Sequence, residues 1–535
     1  MQQFTDKYAD QITGVLTGFD RLVFRATPRR LNFGYFDRNL KAFVAKGMEE
    51  YCWQNKVLFK NYSEHVQAVS ERLKKQSLQP FRDQGLPVMF VQSASIDKEA
   101  LARTVAENNN ITSGLVCAIS VMEPSPTFEH RGTHITRRVR PCHVLYHYQI
   151  HPELGWMHAR IQTWFPFNIQ IGLNGHEWLA QKMNQEGLKY VQERNCFPWI
   201  EDFPRAQQIM HQQLNSNWTG LLEGFAAQLN PAHDQIFERY PTHYYWTCYQ
   251  SEWATDVVFR DADFLQRLMP RLIRHALLDF SCTDVLRYHG RRVNQSGEIP
   301  ANFNGKVQID LKTHWQGQRV KYTLDGNSTK FYDKAYSPVG NVLRAAETTI
   351  NNVSVFRAYR PKEGGSEQDL QWRPMRKGVA DLHRRAEVSN HANNRFMNAL
   401  ASVDDSRTVE ELTASMQQPA RLSGRRVRAL RPWADDKALL IAVNHGDFLT
   451  NGFRNRDVQA LLYAQPAESA TEKRRRSGAV SRKLRMLRAH GVIEKVPRTN
   501  RYHVRATART VLAAIFATAR TSLTELDQLP EKKVA

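Results

Sequence analysis

A tyrosine, an aspartate and a lysine stand side by side at Tyr332, Asp333 and Lys334, and an arginine and a glutamate follow at Arg344 and Glu347. A phenol can attack a phosphodiester, a carboxylate can hold a divalent metal, and a cation can neutralise the developing charge. These residues predict a catalytic site that cuts or joins nucleic-acid strands. The alternative is that Tyr332 packs in the core of a sheet, with Asp333 and Lys334 as a surface ion pair.

Further carboxylates lie on neighbouring predicted strands. Asp256 in "WATDVVF" and Asp310 in "VQIDLK" could bind a metal together with Glu347. Mg²⁺ is the cofactor we expect if the site is catalytic, because it prefers carboxylate oxygens and phosphates. If the protein is an enzyme, we expect metal-dependent DNA nicking or strand transfer.

The pattern "YDK" followed by "LRAAE" resembles a stretch in the rolling-circle replication initiators of plasmids and filamentous phages. The resemblance is confined to the region from Asn327 to Asn352. It implies a tyrosine nucleophile supported by a metal. The His-hydrophobe-His metal motif of relaxases is missing from this sequence. The histidines of "HVLYHYQIH" are four residues apart, about 13 Å per step along a strand, which is too far to share one metal. They are His143, His147 and His151.

Other common enzyme signatures are also missing from the sequence. There is no GxxxxGK[ST], no HExxH and no GxSxG, so ATP-driven work is not expected. The six cysteines are scattered without a CxxC pair, which argues against a zinc ribbon or a disulfide framework and for a reducing cytoplasm.

The segment "RRRSGAVSRKLRMLRAHGVIEKVPRTNRYHV" combines an apolar ladder with many cations. Val480, Leu484 and Leu487 have the spacing of one helical stripe, and the cations point away from it. Two short strands with a basic tip follow this predicted helix. The residues that we expect to contact nucleic acid are Arg474, Arg475, Arg476, Ser481, Arg482, Arg485, Arg488, Arg498 and Arg501.

This segment, with the helices predicted upstream of it, resembles a bacterial winged helix-turn-helix domain. The resemblance implies that the arginines of the last helix enter or flank the major groove, while Arg498 and Arg501 of the wing reach phosphates or the minor groove. The alternatives are a winged helix that contacts protein and a merely solvated basic face.

The composition supports a polyanionic partner. The 535 residues carry a formal net charge of +21, with 41% hydrophobic and 24% charged residues, as in folded proteins. We find no secretory signal and no apolar run long enough to span a bilayer, so we expect a cytoplasmic protein without a membrane partner. The sequence does not determine the oligomeric state.

The periodicities predict an α+β multi-domain protein with mixed β-sheets and flanking helices in its central region, a helical linker and a C-terminal winged helix. The predicted regions are 1–125, helix-rich α/β; 126–240, mixed sheet and helix; 241–360, a second sheet with the tyrosine and carboxylate site; 361–432, helical linker; and 433–535, winged helix.

Phrases such as "QTWFPFNIQIGLNG", "SEWATDVVF" and "VRALRPW" resemble bacterial proteins that travel with mobile elements. Aromatic residues also interleave with His and Arg along the predicted strands, where they could stack on single-stranded bases or simply pack in the core. We therefore expect a DNA-binding protein of a mobile element that also nicks or joins strands. The alternative is a non-catalytic transcriptional regulator or an RNA-binding component of a ribonucleoprotein.

Overall fold

The computed structural model describes most of the chain. The described residues are 1–30, 44–280, 282–290, 307–314, 317–334, 340–361, 370–402, 409–422, 424–445, 448, 452–497 and 499–519. Arg498, predicted to contact nucleic acid, lies outside them.

The protein is an α+β structure built on one large mixed sheet. Its strands are β1 Ile12–Arg30, β2 Val88–Val91, β3 Gly114–Arg131, β4 His134–His151, β5 Gly155–Gln162, β6 Ile169–Asn174, β9 Thr242–Phe259, β10 Gln308–His314, β11 Gly317–Leu324, β12 Asn327–Asp333 and β13 Val342–Ile350. Short pairs lie outside this sheet: β7 Tyr190–Val191 with β8 Trp199–Ile200, β14 Arg357–Arg360 with β15 Gln371–Pro374, β16 Ala420–Leu422 with β17 Arg425–Val427, and β18 Ile493–Lys495 with β19 Tyr502–Val504.

The strand order of the large sheet is β10-β11-β12-β13-β9-β1-β6-β5-β4-β3-β2. Among the described strands, β2 and β3 are the one parallel pair, as expected for strands joined through a helix. The regions predicted as 1–125, 126–240 and 241–360 all contribute strands to this sheet, and residue 125 lies inside β3. They therefore form one body, because strands distant in sequence hydrogen-bond edge to edge.

The helices pack on both faces of the sheet and form the C-terminal part of the chain. They are α1 Gln2–Lys7, α2 Ala45–Gln54, α3 Tyr62–Asp83, α4 Lys98–Asn108, α5 Gly175–Glu186, α6 Phe203–His211, α7 Trp218–Leu229, α8 His233–Ile236, α9 Ala262–Leu278, α10 Cys282–Tyr288, α11 Leu382–Leu400, α12 Val409–Thr413, α13 Lys437–Val443, α14 Asn455–Leu462, α15 Ala470–Ala489 and α16 Ala506–Thr518.

Different helices pack on the two faces of the sheet. The face that includes Phe24 and His147, called here the helical face, is covered in part by α3 and α7: Ser77 bonds to His147, and Trp218 packs on Phe24. The opposite face, called the polar face, includes Arg21 and Asp256 and is covered in part by α5 and α6.

The N-terminal region differs most from its prediction. The sequence predicts a helix-rich α/β region over 1–125, yet β1 runs for 19 residues through the middle of the sheet. Register shifts between Ile12 and Gly14, between Phe19 and Arg21, and opposite Val23 and Phe24 interrupt its pairing with β9. Each shift breaks the alternation of apolar and polar residues by which a strand is recognised.

The predicted helical linker 361–432 is divided between two bodies. Helix α11 packs on the helical face, where Asn393 donates to the carbonyl of Trp253 at 2.9 Å and Arg385 donates to that of Cys248 at 2.6 Å. Met416 and Leu430 instead join the apolar cluster of the C-terminal part, together with Leu440, Leu484 and other residues. Apolar residues such as Phe396 and Leu400 pack α11 on the sheet, and polar groups add bonds to strand carbonyls that sequence periodicity does not reveal.

Candidate functional site

An irregularity in β13 brings an arginine and a glutamate to the same side of the sheet. Arg344 pairs with Tyr332 on one neighbouring strand and with Asp256 on the other, and Glu347 pairs with Lys330. Residues three apart face opposite sides of a regular strand. The register shift between Arg344 and Ala346 inserts one extra residue between them. The side chains of Arg344 and Glu347 therefore both lie on the polar face.

A second irregularity, in β1, adds an aspartate. Phe19 pairs with Trp253 and Arg21 pairs with Glu252, which leaves Asp20 as the extra residue of a bulge. Its carboxylate lies 2.9 Å from Nη1 of Arg344. Two bulges on strands that flank β9 therefore place these charges together.

Arg344 is the centre of this arrangement, which we call the charge network: Asp20, His176, Asp256, Tyr332, Arg344 and Glu347. The Arg344 side chain is fully buried. Its Nε and Nη2 donate to the two oxygens of Asp256 at 2.7 and 2.9 Å, a bidentate pair. Its Nη1 also donates to Glu347 at 3.0 Å.

Helix α5 supplies the second cation. His176 lies 3.0 Å from Asp20 through Nδ1 and 3.2 Å from Asp256 through Nε2. The helix starts where Asn174 caps it by accepting from the backbone N–H of His176. A Cβ at Gly175 would overlap the carbonyl oxygen of Phe19, so glycine is needed for α5 to approach β1 this closely.

The electrostatics of the charge network favour ionised groups despite burial. Burial alone would raise the pKa of Asp20 and Asp256, but Arg344 and His176 hold the pKa of both well below its usual range. Burial alone would lower the pKa of His176, but its bonds to the two aspartates raise it. The site therefore contains paired charges, not neutral acids.

Tyr332 and Lys334 lie at the edge of the charge network. The Tyr332 hydroxyl donates to Glu347 at 3.0 Å and accepts from Arg344 at 3.1 Å. Burial raises the pKa of this phenol well above its ordinary value, and the residue is 7% exposed. Burial and the neighbouring Arg344 lower the pKa of Lys334 to about 8.

The structure does not assemble the predicted metal ligands. Both Asp256 oxygens bind Arg344, and Asp310 lies on β10, three strands and roughly 14 Å from Glu347. Asp310 instead pairs with Lys312 at 3.0 Å. Asp333 turns away from the charge network and accepts from the backbone N–H of Gln318 at 2.8 Å.

A different set of carboxylates comes together at the rim of the charge network. Asp20, Glu252 and Glu347 each offer an oxygen, and these oxygens lie within 4.8 Å of one another. Oxygen donors of this kind suit Mg²⁺ or Ca²⁺. However, Nζ of Lys330 already lies 2.5 Å from Glu347. Burial, together with the charge of Glu347, raises the pKa of Glu252 to about 7. A divalent ion would therefore compete with a lysine and a proton.

Several residues of the charge network and its rim could not be recognised in the sequence. Asp20, His176 and Glu252 are far apart in the chain, and no spacing motif connects them. An acidic residue inside an otherwise apolar strand, as in "LTGFDRLVF", is the one local signal for Asp20, because buried carboxylates need partners. No comparable signal marks His176.

In the C-terminal part, α15 presents cations on one side. Val480, Leu484 and Leu487 are buried, as the periodicity predicted. On the opposite side Arg474, Arg475 and Arg482 are exposed, and Arg485 is partly exposed. We call these four residues the arginine face. None of them has a carboxylate within 4.0 Å in the part of the chain that the structure describes.

The other predicted contact residues have different surroundings. Arg476 is tied to Glu472 at 2.6 Å and lies over the Tyr463 ring at 4.7 Å, on the protein side of α15. Ser481 accepts from Asn455 of α14 at 2.8 Å and is exposed. Arg488 is partly exposed, and Arg501 lies 4.8 Å over the Tyr359 ring.

Comparisons with known proteins give no relatives to guide the interpretation. No family model matches the sequence, and neither a curated protein nor a solved structure is significantly similar to it. Within the described ranges, no helix has the length and apolar character that crossing a membrane requires. The chemistry of the charge network and of the arginine face is therefore the basis for a functional proposal.

Proposed function

We propose that this protein binds nucleic acid through α15 and the β18–β19 hairpin, in the manner of a winged helix, with duplex DNA as its partner. The observation that carries the proposal is the arginine face, because its four side chains lie opposite the apolar stripe without acidic partners among the described residues. Helix α15 packs on the protein through its apolar stripe, so the guanidinium groups on its other side are available to bind the phosphates of a nucleic acid.

The elements around α15 support this geometry. Helices α13 and α14 pack with α15 through Leu440, Val458 and Leu484, and the hairpin follows directly. A helix held in this way can lie in the major groove, with its exposed arginines against bases or phosphates. A transcriptional regulator or another protein of a mobile element needs such a module.

The test is the salt dependence of duplex binding by the full-length protein. We expect the quadruple alanine variant of Arg474, Arg475, Arg482 and Arg485 to bind at least roughly ten-fold more weakly, with a log–log salt slope that falls by about 0.9 for each phosphate that is no longer neutralised. Alanine is the best helix former, so α15 should persist, which circular dichroism can check.

Arg476→Ala is the matched control within the same helix. Its guanidinium is bound to Glu472 and to the carbonyl of Gln465, so its removal should leave the salt slope unchanged. An unaltered slope in the quadruple variant would overturn the proposal. A slope that changes equally in Arg476→Ala would show that general charge, not the arginine face, governs binding.

A second candidate function is strand nicking at the charge network. The bonds that join Tyr332, Glu347 and Arg344 favour it. In such a step the phenol oxygen attacks phosphorus and its proton passes to Glu347, while the bond from phosphorus to the departing strand's oxygen breaks and that oxygen takes a proton from water to leave as a hydroxyl. The segment around Asn195, which contacts Arg344 and Lys334, would have to move to admit DNA.

A covalent adduct assay tests nicking. The protein is incubated with supercoiled DNA and Mg²⁺, and a tyrosine-linked adduct should form and disappear in Tyr332→Phe. Tyr322→Phe is the control, since that buried hydroxyl donates to Ala276 on the other side of the sheet. If no adduct forms, or if it persists in Tyr332→Phe, Tyr332 is not a nucleophile.

A further inference from the structure

A second group of cations lies on the polar face of the sheet, far from α15 in sequence. Direct cross-strand pairing puts one row of residues on this face: Gln308, Thr323, Ser328, Thr349, Glu252 and Arg21. Residues two or four positions from members of this row share the face. We call five such cations the sheet lane: Arg21, Arg25, Arg319, Lys321 and Lys330.

At the β1 end of the sheet lane, arginines stack on tyrosines. The guanidinium of Arg25 lies 3.4 Å from the ring centre of Tyr249, and that of Arg29 lies 3.7 Å from that of Tyr245. Arg25 and Tyr249 are exposed, and Arg21 is exposed beside them. Neither Arg21 nor Arg25 has a carboxylate within 4.0 Å among the described residues.

At the β12 end, like charges face each other across the strands. Lys321 pairs directly with Lys330, and Arg319 pairs directly with Lys312. Burial, and then the charges of Lys330 and Arg319, lower the pKa of Lys321. The buried Nε of Arg319 has no hydrogen-bond partner in the described residues. Lys321 also pairs directly with Asp310, and Lys330 is bound to Glu347, so these carboxylates balance part of the positive charge. Arg319 has no carboxylate within 4.0 Å among the described residues, so a bound phosphate would supply its missing partner.

We propose that the sheet lane binds a single-stranded nucleic acid, with phosphates on Arg21, Arg319 and Lys321 and a base on the Arg25–Tyr249 stack. Arg21 on β1 and Lys321 on β11 lie four strand spacings apart, roughly 19 Å, so one continuous polyanion can bridge them. The exposed cations attract phosphates, and the exposed ring and guanidinium supply the flat platform on which unpaired bases stack.

A single strand suits this surface better than a duplex. The bases of a duplex are stacked on each other and cannot lie on Tyr249, whereas a flexible strand can turn its bases toward a sheet. Glu252 lies between Arg21 and Thr349 in the same row, so a bound strand would pass over the rim of the charge network. Single-strand binding at this surface does not depend on duplex binding by α15.

The experiment measures binding of a fluorescent oligothymidylate and of a duplex by full-length variants. Arg21→Ala/Arg25→Ala and Arg319→Ala/Lys321→Ala should each lower the salt slope for the single strand by about 0.7 for each phosphate that is no longer neutralised. Tyr249→Ala should weaken single-strand binding roughly five-fold or more, because the base loses its stacking platform. Duplex binding by these variants should equal that of the wild type.

The control is Arg72→Ala/Lys75→Ala on α3, which removes two cations beside the helical face and should leave both affinities unchanged. The quadruple α15 variant should lose duplex binding and keep the single strand. If sheet-lane variants bind the oligothymidylate like the wild type, or lose only duplex binding, the inference is overturned. If the quadruple variant alone abolishes single-strand binding, the sheet lane is also refuted while the proposed function stands.

Discussion

At the residue scale, the charge network shows how a sheet can hold many charges in its interior. Asp256 has two bonds from Arg344, and His176 connects Asp256 to Asp20. Buried ion pairs of this kind add little net stability compared with apolar packing, but removing one partner leaves a charge without compensation. Substitution of Arg344 is therefore the most informative change in the charge network.

We expect Arg344→Met to lower the free energy of unfolding by about 3–5 kcal/mol, because Asp20, Asp256 and Glu347 would lose their shared cation. Urea-induced unfolding followed by tryptophan fluorescence gives the measurement. Arg344→Lys keeps the charge but not the bidentate geometry, so its effect on the free energy of unfolding should be intermediate.

Arg205→Ala is the control for that comparison. Arg205 also makes a two-pronged pair, with Glu186, but this pair is exposed and should contribute about 0–1 kcal/mol. Equal losses for Arg344→Met and Arg205→Ala would contradict the expected cost of leaving buried carboxylates without their cation.

At the element scale, periodicity predicted the regular elements and missed the irregular ones. The apolar stripe of α15 and the β18–β19 hairpin both follow from local patterns. Strand β1 was missed because its bulges break the alternation at Asp20 and at two further places. The bulge at Asp20, together with the bulge of β13, creates the candidate site.

The sequence predicted only some residues of the candidate site, because bulges and long-range strand pairing bring the others together. Tyr332, Arg344 and Glu347 are near in sequence, and the structure brings them within hydrogen-bond distance of one another. Asp310 is a predicted metal ligand because its strand is near in sequence. The strand order, however, places β10 at the edge of the sheet, three strands from Glu347. Strand order depends on long-range pairing, which local periodicity does not encode.

At the scale of the whole molecule, the net charge of +21 includes two cationic surfaces of different shape. The arginine face lies on one helix that suits a groove, and the sheet lane crosses several strands and includes the Arg25–Tyr249 stack. A protein with both surfaces could hold a duplex site and an unpaired strand together.

Crosslinking of the full-length protein to duplex DNA, followed by mass spectrometry of the peptides, tests the central claim most directly. We predict that the crosslinked peptides come from α15 and from the hairpin that follows it, and that they disappear in the quadruple variant of the arginine face. Crosslinks confined to the large sheet, or peptides unchanged in that variant, would contradict duplex binding by α15.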